Sequence, residues 1–309
     1  MNHPQFLQQG DRVAIVATAR KVSRQEMTPA IRLLQSWGLQ VVEPNGLYNE
    51  CHQMAGNDSQ RAQMLQQALD DDSIRAVFCA RGGYGTVRII DRIDFTRFVH
   101  RPKWVVGYSD VTVLHSHIAR QWGIPTMHAI MPINIPDDAV QTDYPAIHSL
   151  HDALFGTTLS YQLSAPCQIG NAGNATAPIV GGNLSILYSL LGSNSDIDTT
   201  GKILIIEDLD EYLYHIDRMI MALKRAGRLE RLRGLIVGAM SDMHDNTVPF
   251  GSTAEEIVWD AVQEYDYPVC FHAKFGHIGT ENLTLPMGIE STLNVSNDGS
   301  AHLVVDLHK

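Results

Sequence analysis

Residues 103–119 read KWVVGYSDVTVLHSHIA, and they indicate the fold class. Trp104–Val106 is an apolar run typical of a buried strand, and a sharp turn follows at Gly107 to Ser109. From Asp110 to Trp122 the pattern predicts a helix, which Gly123 ends. A buried strand that runs directly into a helix is the building unit of a parallel β-sheet covered by helices. The stretch therefore predicts an α/β fold.

The same alternation of apolar and amphipathic segments continues toward the N-terminus. The predicted elements are, in chain order, the strand Arg12–Ala17, the helix Thr28–Trp37, the strand Gln40–Glu43, the helix Asn57–Asp70, the strand Ala76–Ala80 and a helix near Thr86–Ile93. Because strands joined through helices run parallel, the loops that follow them open on one edge of the sheet. Two of these loops, after Ala80 and after Val106, carry chemically suggestive residues.

The second half of the chain is organised differently. Periodicity fades between Pro136 and Pro178, where turn formers are frequent, so we predict an N-terminal domain over residues 1–135, a linker over 136–178 and a C-terminal domain over 179–309. The predicted elements of the last part are a helix-like run at Ile179–Leu191, the strand Lys202–Ile206, a helix near Ile216–Ala226, the strand Gly234–Val237, a helix near Ala254–Glu264, the strand Val269–Phe271 and a hairpin over Ser291–Leu307.

Composition argues against several classes of protein. The 309-residue chain has a formal net charge of -11 and no segment rich in Lys and Arg, so a nucleic-acid partner is not expected. No apolar run approaches the roughly 18 residues of a membrane helix, and no basic leader precedes the first apolar run, so we expect a cytoplasmic protein. Four cysteines without a CxxC pair favour reduced thiols over disulfides or a zinc site: Cys51, Cys79, Cys167 and Cys270.

Ser109 is the candidate nucleophile. A serine in a turn between a buried strand and a helix projects its hydroxyl clear of the sheet, and the free N–H groups of the helix point to where an oxyanion would form. The match to the G-x-S-x-G motif is partial, because Val111 occupies the position of the second glycine. On this segment alone, a serine that only caps the helix is an open alternative.

A second loop, RGGYG at residues 81–85, follows the preceding predicted strand. Its glycines allow the backbone to approach a ligand closely, and one of their N–H groups could supply a second oxyanion donor. A phosphate cradle is the alternative interpretation. It is the weaker one, because the loop has neither the Lys-Ser/Thr ending of a P-loop nor the G-x-G-x-x-G spacing.

The general base must be selected among 14 histidines. His115 and His117 follow Ser109 on a helix that carries them away from the turn, and we interpret them as packing or surface residues. His277 lies in a glycine-containing loop after a predicted strand, from which its ring could face a cleft. It is the candidate base, with an ordinary loop histidine as the alternative.

The carboxylate that would orient this histidine is sought at a strand end. Glu207 directly follows the apolar strand Lys202–Ile206, whereas Asp208, Asp210 and Glu211 lie further out and are expected to be solvated. An ordinary surface or cap acid is the alternative for Glu207. Because no H-E-x-x-H or H-x-E spacing of metal ligands occurs, we predict a metal-independent hydrolase.

Five blocks are distinctive when taken together. They are RGGYG at 81–85, GYSDVT at 107–112, GGNLS at 181–185, IIED at 205–208 with YHIDRM at 214–219, and GHIGTENLTLPMG at 276–288. In this order, over nearly the whole chain, they resemble the LD-carboxypeptidase family of serine peptidases, which also contains the microcin-immunity peptidases. Their joint occurrence is far more specific than any single block.

The resemblance implies a fold and a set of roles. The fold is a Rossmann-like parallel-sheet N-terminal domain beside a β-rich C-terminal domain, with the active site in the cleft between them. Ser109 matches the nucleophile of the family, Glu207 its acid and His277 its base. The backbone N–H groups of Asp110 and Gly83 match the oxyanion hole. A homodimer and a reaction without metal or organic cofactor are also implied.

For a chain of this length, the resemblance implies a cytoplasmic enzyme of peptidoglycan recycling that removes the terminal D-alanine from muramyl tetrapeptides. No spacing identifies the groups that bind such a substrate. We select Arg81, since a guanidinium group suits carboxylates, and Tyr108 as candidates.

Three other functions stay open on sequence alone. A microcin-immunity peptidase, which hydrolyses an amide in a peptide-nucleotide antibiotic, should carry extra aromatic residues for the base, and the four tryptophans at 37, 104, 122 and 259 are scattered. A non-catalytic small-molecule-binding protein would have lost a triad residue, and all three are present. A generic esterase would hydrolyse activated esters and ignore peptides that end in D-alanine.

Overall fold

The computed structural model describes residues 3–308 and contains two β-sheets, each with parallel and antiparallel strands, flanked by helices. The predicted α/β class, with a parallel sheet in the first half and a strand-rich second half, is confirmed. No helix among residues 3–308 is long and apolar enough to cross a membrane.

Six strands form the first sheet. They are β1 (Arg12–Val16), β2 (Gln40–Val42), β3 (Ile74–Cys79), β4 (Trp104–Gly107), β5 (Thr126–His128) and β11 (Leu285–Met287), in the spatial order β11-β5-β4-β3-β1-β2. β1 to β5 run parallel, whereas β11 is antiparallel to β5. The central strands are nearly continuous apolar runs, as expected for a parallel sheet whose two faces are both covered.

Five α-helices belong to this half of the chain, counted over residues 3–155. They are α1 (Arg24–Ser36), α2 (Asp58–Asp70), α3 (Thr96–His100), α4 (Thr112–Trp122) and α5 (Pro145–Phe155). Asn57 caps α2 in a capping box completed by Gln60, and Gly123 ends α4 in the left-handed region at φ +63°. These local signals explain why α2 and the end of α4 were predictable to within a residue.

Seven strands form the second sheet. They are β6 (Leu159–Ser164), β7 (Gly173–Asn183), β8 (Ile203–Leu209), β9 (Gly234–Ser241), β10 (Val269–Cys270), β12 (Glu290–Val295) and β13 (Ala301–Val305), in the order β10-β9-β8-β7-β12-β13-β6. β7 to β10 run parallel and carry α6 (Leu184–Leu190), α7 (Leu213–Arg225) and α8 (Ala254–Val262). β6, β12 and β13 pair in antiparallel fashion, and β12 and β13 alternate buried with more exposed residues.

Two stretches differ from the prediction. The segment 136–178, predicted as a linker, contains α5, β6 and the first residues of β7, so it has regular secondary structure. The boundaries of the two domains stay a prediction. The run Ile179–Leu191 is helical only from Leu184 onward. Its first part belongs to β7, which pairs with β8. Gly181 permits this close pairing, because a Cβ there would stand 2.1 Å from the carbonyl oxygen of Ile205.

The predicted helix near Thr86–Ile93 is also wrong in type. Two separate 3₁₀ turns replace it, Thr86–Arg88 and Ile90–Arg92. Ile89, at φ -115° and ψ -14°, ends the first turn and precedes the second. The segment after the glycine-rich loop is therefore a compact connection to α3.

Candidate active site

Ser109 occupies a strained turn at the carboxyl end of β4. Its φ of +61° places a non-glycine residue in the left-handed region, and a 3₁₀ turn over Ser109–Val111 leads from it into α4. Gly107 makes the turn possible, because a Cβ there would lie 2.8 Å from a methyl group of Val111. This arrangement of strand, strained serine and helix is the one that presents a nucleophile in α/β-hydrolases.

The glycine-rich loop packs directly against this turn. A Cβ at Gly82 would lie 3.1 Å from both Cβ and Oγ of Ser109, so only glycine fits there without a shift. The buried carboxylate of Asp110 accepts a hydrogen bond of 2.9 Å from the backbone N–H of Thr86. The two loops that were predicted to open on the same sheet edge therefore meet.

A buried arginine stabilises the same loop from behind. Nη1 of Arg61 donates to the carbonyl oxygens of Gly85 at 3.0 Å and Thr18 at 2.7 Å, and its Nη2 bonds to Asp58. Charge-assisted hydrogen bonds of this kind fix the loop backbone and rank among the stronger polar interactions. Sequence reasoning missed Arg61, since nothing distinguishes it from other arginines on an amphipathic helix.

Glu207 and His277 form a hydrogen-bonded pair. Nδ1 of His277 donates to Oε2 of Glu207 at 2.6 Å, and the Glu207 side chain is fully buried. The other carboxylate oxygen of Glu207 has no hydrogen-bond partner among the described residues. Gly276 packs on the carboxylate so closely that a Cβ there would lie 2.8 Å from Cβ and Oε2 of Glu207.

Burial and charge act on His277 in opposite directions. Burial alone would lower its pKa, but the hydrogen bond and negative charge of Glu207 outweigh it, so the pKa of His277 lies above its ordinary value. The Glu207 bond also leaves Nε2 as the free ring nitrogen of the neutral form. Glu207 can thus orient the ring of His277 and stabilise its protonated state.

Tyr108 connects the nucleophile turn to His277. Its ring centroid lies 4.9 Å from that of His277, while its hydroxyl lies 3.4 Å from Oδ1 of Asn134. The Tyr108 side chain is buried, and burial raises the pKa of its phenol far above the ordinary value. Ser109 follows Tyr108 directly, so the residue that precedes the predicted nucleophile packs against the ring of the His277–Glu207 pair.

A chain of hydrogen bonds ties the two sheets together behind this site. The backbone N–H of Asn183 donates to Oγ1 of Thr112 at 3.0 Å, and its side-chain amide donates to Oδ1 of Asp208 at 2.9 Å. Gly182 allows the contact, because a Cβ there would lie 2.5 Å from the Thr112 hydroxyl oxygen. This chain fixes the helix that follows the nucleophile relative to the strand that carries Glu207.

The expectation that Asp208 is solvated is wrong. β8 continues past Glu207 to Leu209, so Asp208 is buried and also accepts from the backbone N–H of Ser185 at 2.8 Å. Burial and the neighbouring Glu207 raise the pKa of Asp208 to about 7, against the donors that surround it. Its neighbour Asp210 is exposed, as predicted.

Other residues singled out from the sequence lie around the site without contacting the pair. Arg81 Nη1 lies 3.8 Å from Oε1 of Glu26 on α1. Gly83 is exposed at φ +103°, and a Cβ there would meet the side chain of Arg20. The roles of Arg81 and Gly83 stay predictions. Gly82, which contacts Ser109, was not singled out; the double glycine was its only signal.

His115 and His117 are both buried on α4. Nε2 of His115 donates to the carbonyl oxygen of Gly107 at 2.9 Å, and its Nδ1 accepts from the Thr126 hydroxyl at 2.8 Å. Burial lowers the pKa of His115 to about 4, so it stays neutral and supports the turn before Ser109. Its predicted packing role is confirmed, but the expectation that the helix carries it away from the turn is wrong, because its ring bonds to Gly107 in that turn. Among residues 3–308, no group of three or more His, Cys, Asp and Glu side chains is arranged to hold a metal ion.

Comparison with known proteins gives matches along most of the chain. The LD-carboxypeptidase N-terminal domain matches residues 13–129, and the LD-carboxypeptidase C-terminal domain matches residues 176–293. A probable murein peptide carboxypeptidase of Bacillus subtilis is 35% identical over 300 residues, which cover 95% of this chain and 92% of that protein. The murein tetrapeptide carboxypeptidase of Pseudomonas aeruginosa is 26% identical over 291 residues, covering 91% and 92% of the two chains.

Solved structures show the same fold. The muramoyltetrapeptide carboxypeptidase from Oxalobacter formigenes superimposes with a TM-score of 0.84 at 24% identity, covering 95% of this chain and 98% of that one. The microcin C7 self-immunity protein MccF superimposes with a TM-score of 0.82 at 18% identity, with 97% of each chain covered. At these identities the likeness concerns the fold.

Proposed function

The chain belongs to the LD-carboxypeptidase family, and we propose that it is a serine peptidase that removes the terminal D-alanine from murein tetrapeptides. The observation that carries the proposal is the 2.6 Å bond between His277 and the buried Glu207, together with the packing of His277 on Tyr108, the residue before the strained turn at Ser109. A nucleophile turn, a histidine and an orienting carboxylate are the three parts that acyl transfer through a serine requires.

The proposed reaction has two steps. Ser109 Oγ attacks the carbonyl carbon of the residue before D-alanine while its proton passes to Nε2 of His277. The tetrahedral intermediate collapses as the C–N bond breaks, and His277 returns the proton to the departing nitrogen of D-alanine. Water, deprotonated by His277, then hydrolyses the acyl-enzyme and restores the Ser109 hydroxyl. Glu207 stabilises the imidazolium in both steps.

The oxyanion of each intermediate needs backbone donors. We assign the N–H groups of Asp110 and Gly83 to this role, supported by the contact of the adjacent Gly82 with Ser109. Tyr108 is proposed to hold the His277 ring, against which it packs, and to line the substrate site. Arg81 is proposed to bind the D-alanine carboxylate, with its 3.8 Å contact to Glu26 exchanged for the substrate.

Three further proposals follow from the family resemblance. We propose that the enzyme acts in the cytoplasm on muropeptides of peptidoglycan recycling, that it forms a homodimer, and that residues 1–135 and 179–309 are separate domains, neither active alone. Light scattering after gel filtration measures the dimer, cell fractionation locates the protein, and assays of the separately expressed halves test their activity.

The decisive experiment is the release of D-alanine from L-Ala-D-Glu-meso-diaminopimelate-D-Ala, followed by mass spectrometry in the presence and in the absence of EDTA. We expect release by the wild type and its loss in Ser109→Ala. Ser189→Ala, at an exposed serine on α6, is the matched control and should release D-alanine normally. No release by folded wild-type protein would overturn the proposal in favour of an amide substrate of the microcin type or a binding function. Release that EDTA abolishes would overturn its metal-independent mechanism.

A further inference from the structure

Exposed aromatic and apolar side chains concentrate in two segments next to His277. Eight large hydrophobic side chains are exposed among residues 3–308, and four of them lie in the segments 210–214 and 242–250 that follow β8 and β9: Tyr212, Tyr214, Val248 and Phe250. The other four are spread over the rest of the surface. A local concentration of this kind marks a binding surface.

Three rings form the centre of this surface, which we call the aromatic platform: Tyr212, Tyr214 and His244. The Tyr212 ring centroid lies 5.7 Å from that of Tyr214 and 5.5 Å from that of His244. The guanidinium carbon of Arg218 lies 5.2 Å from the Tyr214 ring centroid and holds this ring in place. Both tyrosines remain more than a third exposed, at 44% and 40%.

The backbone around the platform is fixed and strained. The N–H of Leu213 donates to the carbonyl oxygen of His244 at 2.9 Å, and the N–H of His244 donates to that of Glu211 at 2.8 Å. Asp210 and Asp242, at the ends of the two strands, have φ values of +61° and +52°. Non-glycine residues adopt this conformation at a cost, and such strain concentrates at functional sites.

The platform lies within reach of the proposed triad. Ser241 Oγ donates to the carbonyl oxygen of His277 at 3.0 Å, and the carbonyl oxygen of Ser241 accepts from the N–H of Asp210 at the same distance. His244 follows Ser241 by three residues, which span at most about 10 Å when fully extended. In a muramoyl tetrapeptide, three residues likewise separate the bond to D-alanine from the sugar. Because the glutamate is linked through its γ-carboxyl and a lactyl group joins the peptide to the sugar, the extended substrate spans at least about 10 Å between that bond and the sugar.

We propose that the aromatic platform binds the N-acetylmuramic acid ring of the substrate, so that the enzyme prefers glycan-linked tetrapeptides to free ones; this inference rests on the proposed carboxypeptidase function. The apolar face of the sugar packs on the rings of Tyr212 and Tyr214. Its hydroxyl groups donate to the Asp210 carboxylate, which is exposed beside the platform and paired with His244.

Charge supports a sugar over other occupants of this surface. Asp210, Asp242 and Asp245 are exposed in the two segments and outnumber the one guanidinium, that of Arg218 on the Tyr214 ring. The resulting negative charge disfavours the carboxylates of the peptide as well as the phosphate of a nucleotide. A sugar with free hydroxyl groups is neutral at this position and can use carboxylates as acceptors. The platform therefore fits the muramic acid ring better than a nucleobase that carries a phosphate.

The first test compares kcat/KM for N-acetylmuramyl tetrapeptide and for free tetrapeptide. We expect the wild type to favour the muramyl substrate, and Tyr212→Ala to lower the ratio of the two values about tenfold, in line with the strength of aromatic contacts. Tyr212→Phe should keep most of the ratio, because it keeps the ring. Met221→Ala, an exposed side chain on α7, should keep all of it. An equal ratio in wild type and Tyr212→Ala would overturn the inference while leaving the carboxypeptidase function intact.

The second test requires no turnover and therefore separates the two proposals. Titration calorimetry on Ser109→Ala compares N-acetylmuramyl-L-Ala-D-Glu, L-Ala-D-Glu and adenosine monophosphate. We expect the muramyl ligand to bind more tightly than the dipeptide, and a further Tyr212→Ala substitution to weaken only the muramyl ligand, about tenfold. Equal affinity for the first two ligands would overturn the inference, as would tighter nucleotide binding that Tyr212→Ala abolishes.

Discussion

Replacing Glu207 by Gln tests the electrostatic role of the buried carboxylate. The substitution keeps the volume and one acceptor oxygen but removes the charge beside His277, whose Nδ1 lies 2.6 Å from Oε2. In the proposed transition state His277 is positively charged, and two unit charges about 4 Å apart attract by about 4 kcal/mol at an effective dielectric constant of 20. Loss of that attraction lowers kcat by about 10³-fold.

The pH dependence gives a second and independent readout. In the wild type the charge of Glu207 raises the pKa of His277 against the effect of burial. With a neutral partner, burial is opposed mainly by the smaller effect of the Asp208 charge, so the pKa of His277 falls. Since His277 must be unprotonated to accept the Ser109 proton, the acid limb of the kcat/KM profile should move to lower pH.

The assay is D-alanine release from free tetrapeptide between about pH 5 and 9, since His titrates within this range. Glu211→Gln is the matched control, because Glu211 accepts from Nδ1 of His215 at the same 2.6 Å in a pair outside the triad. It should leave both kcat and the acid limb unchanged. A Glu207→Gln enzyme with kcat within tenfold of the wild type and an unmoved acid limb would refute the assigned role of Glu207.

Two substitutions test the packing that builds the site. Gly276 has a φ of +102°, and Gly276→Ala would place a Cβ 2.8 Å from the Glu207 carboxylate. We expect kcat to fall at least tenfold and the free energy of unfolding to fall by roughly 1–3 kcal/mol. Gly279→Ala, in the same loop at φ +60° with open space around it, should lose less stability and keep kcat; equal losses would contradict the steric reasoning. Thr112→Val leaves the buried N–H of Asn183 without its acceptor, so the free energy of unfolding in urea should fall by about 1–3 kcal/mol. An unchanged unfolding midpoint would show that this hydrogen bond does not hold the sheets together.

The sequence by itself determined the α/β class and the most local features of the site. Strand β4 and helix α4 follow from residues 103–119, because a buried strand, a glycine turn and an amphipathic helix are each encoded by neighbouring residues. The pairing of Glu207 with His277 had weaker support from the residues alone. Their positions at strand ends selected both as candidates with ordinary roles left open, and the motif resemblance then supported them, since the two residues are 70 positions apart and no periodicity connects them.

Only the tertiary structure decided which polar residues are buried and which segments pair. Asp208 looked like a solvated acid until β8 was seen to continue beside β7 and β9. β11 joins the first sheet although it comes from the last part of the chain, and α5 lies in a stretch whose turn formers concealed its apolar face. The aromatic platform depends on two loops brought together by strand pairing. Burial and pairing are set by contacts between distant residues, whereas a sequence pattern reports the preferences of neighbours.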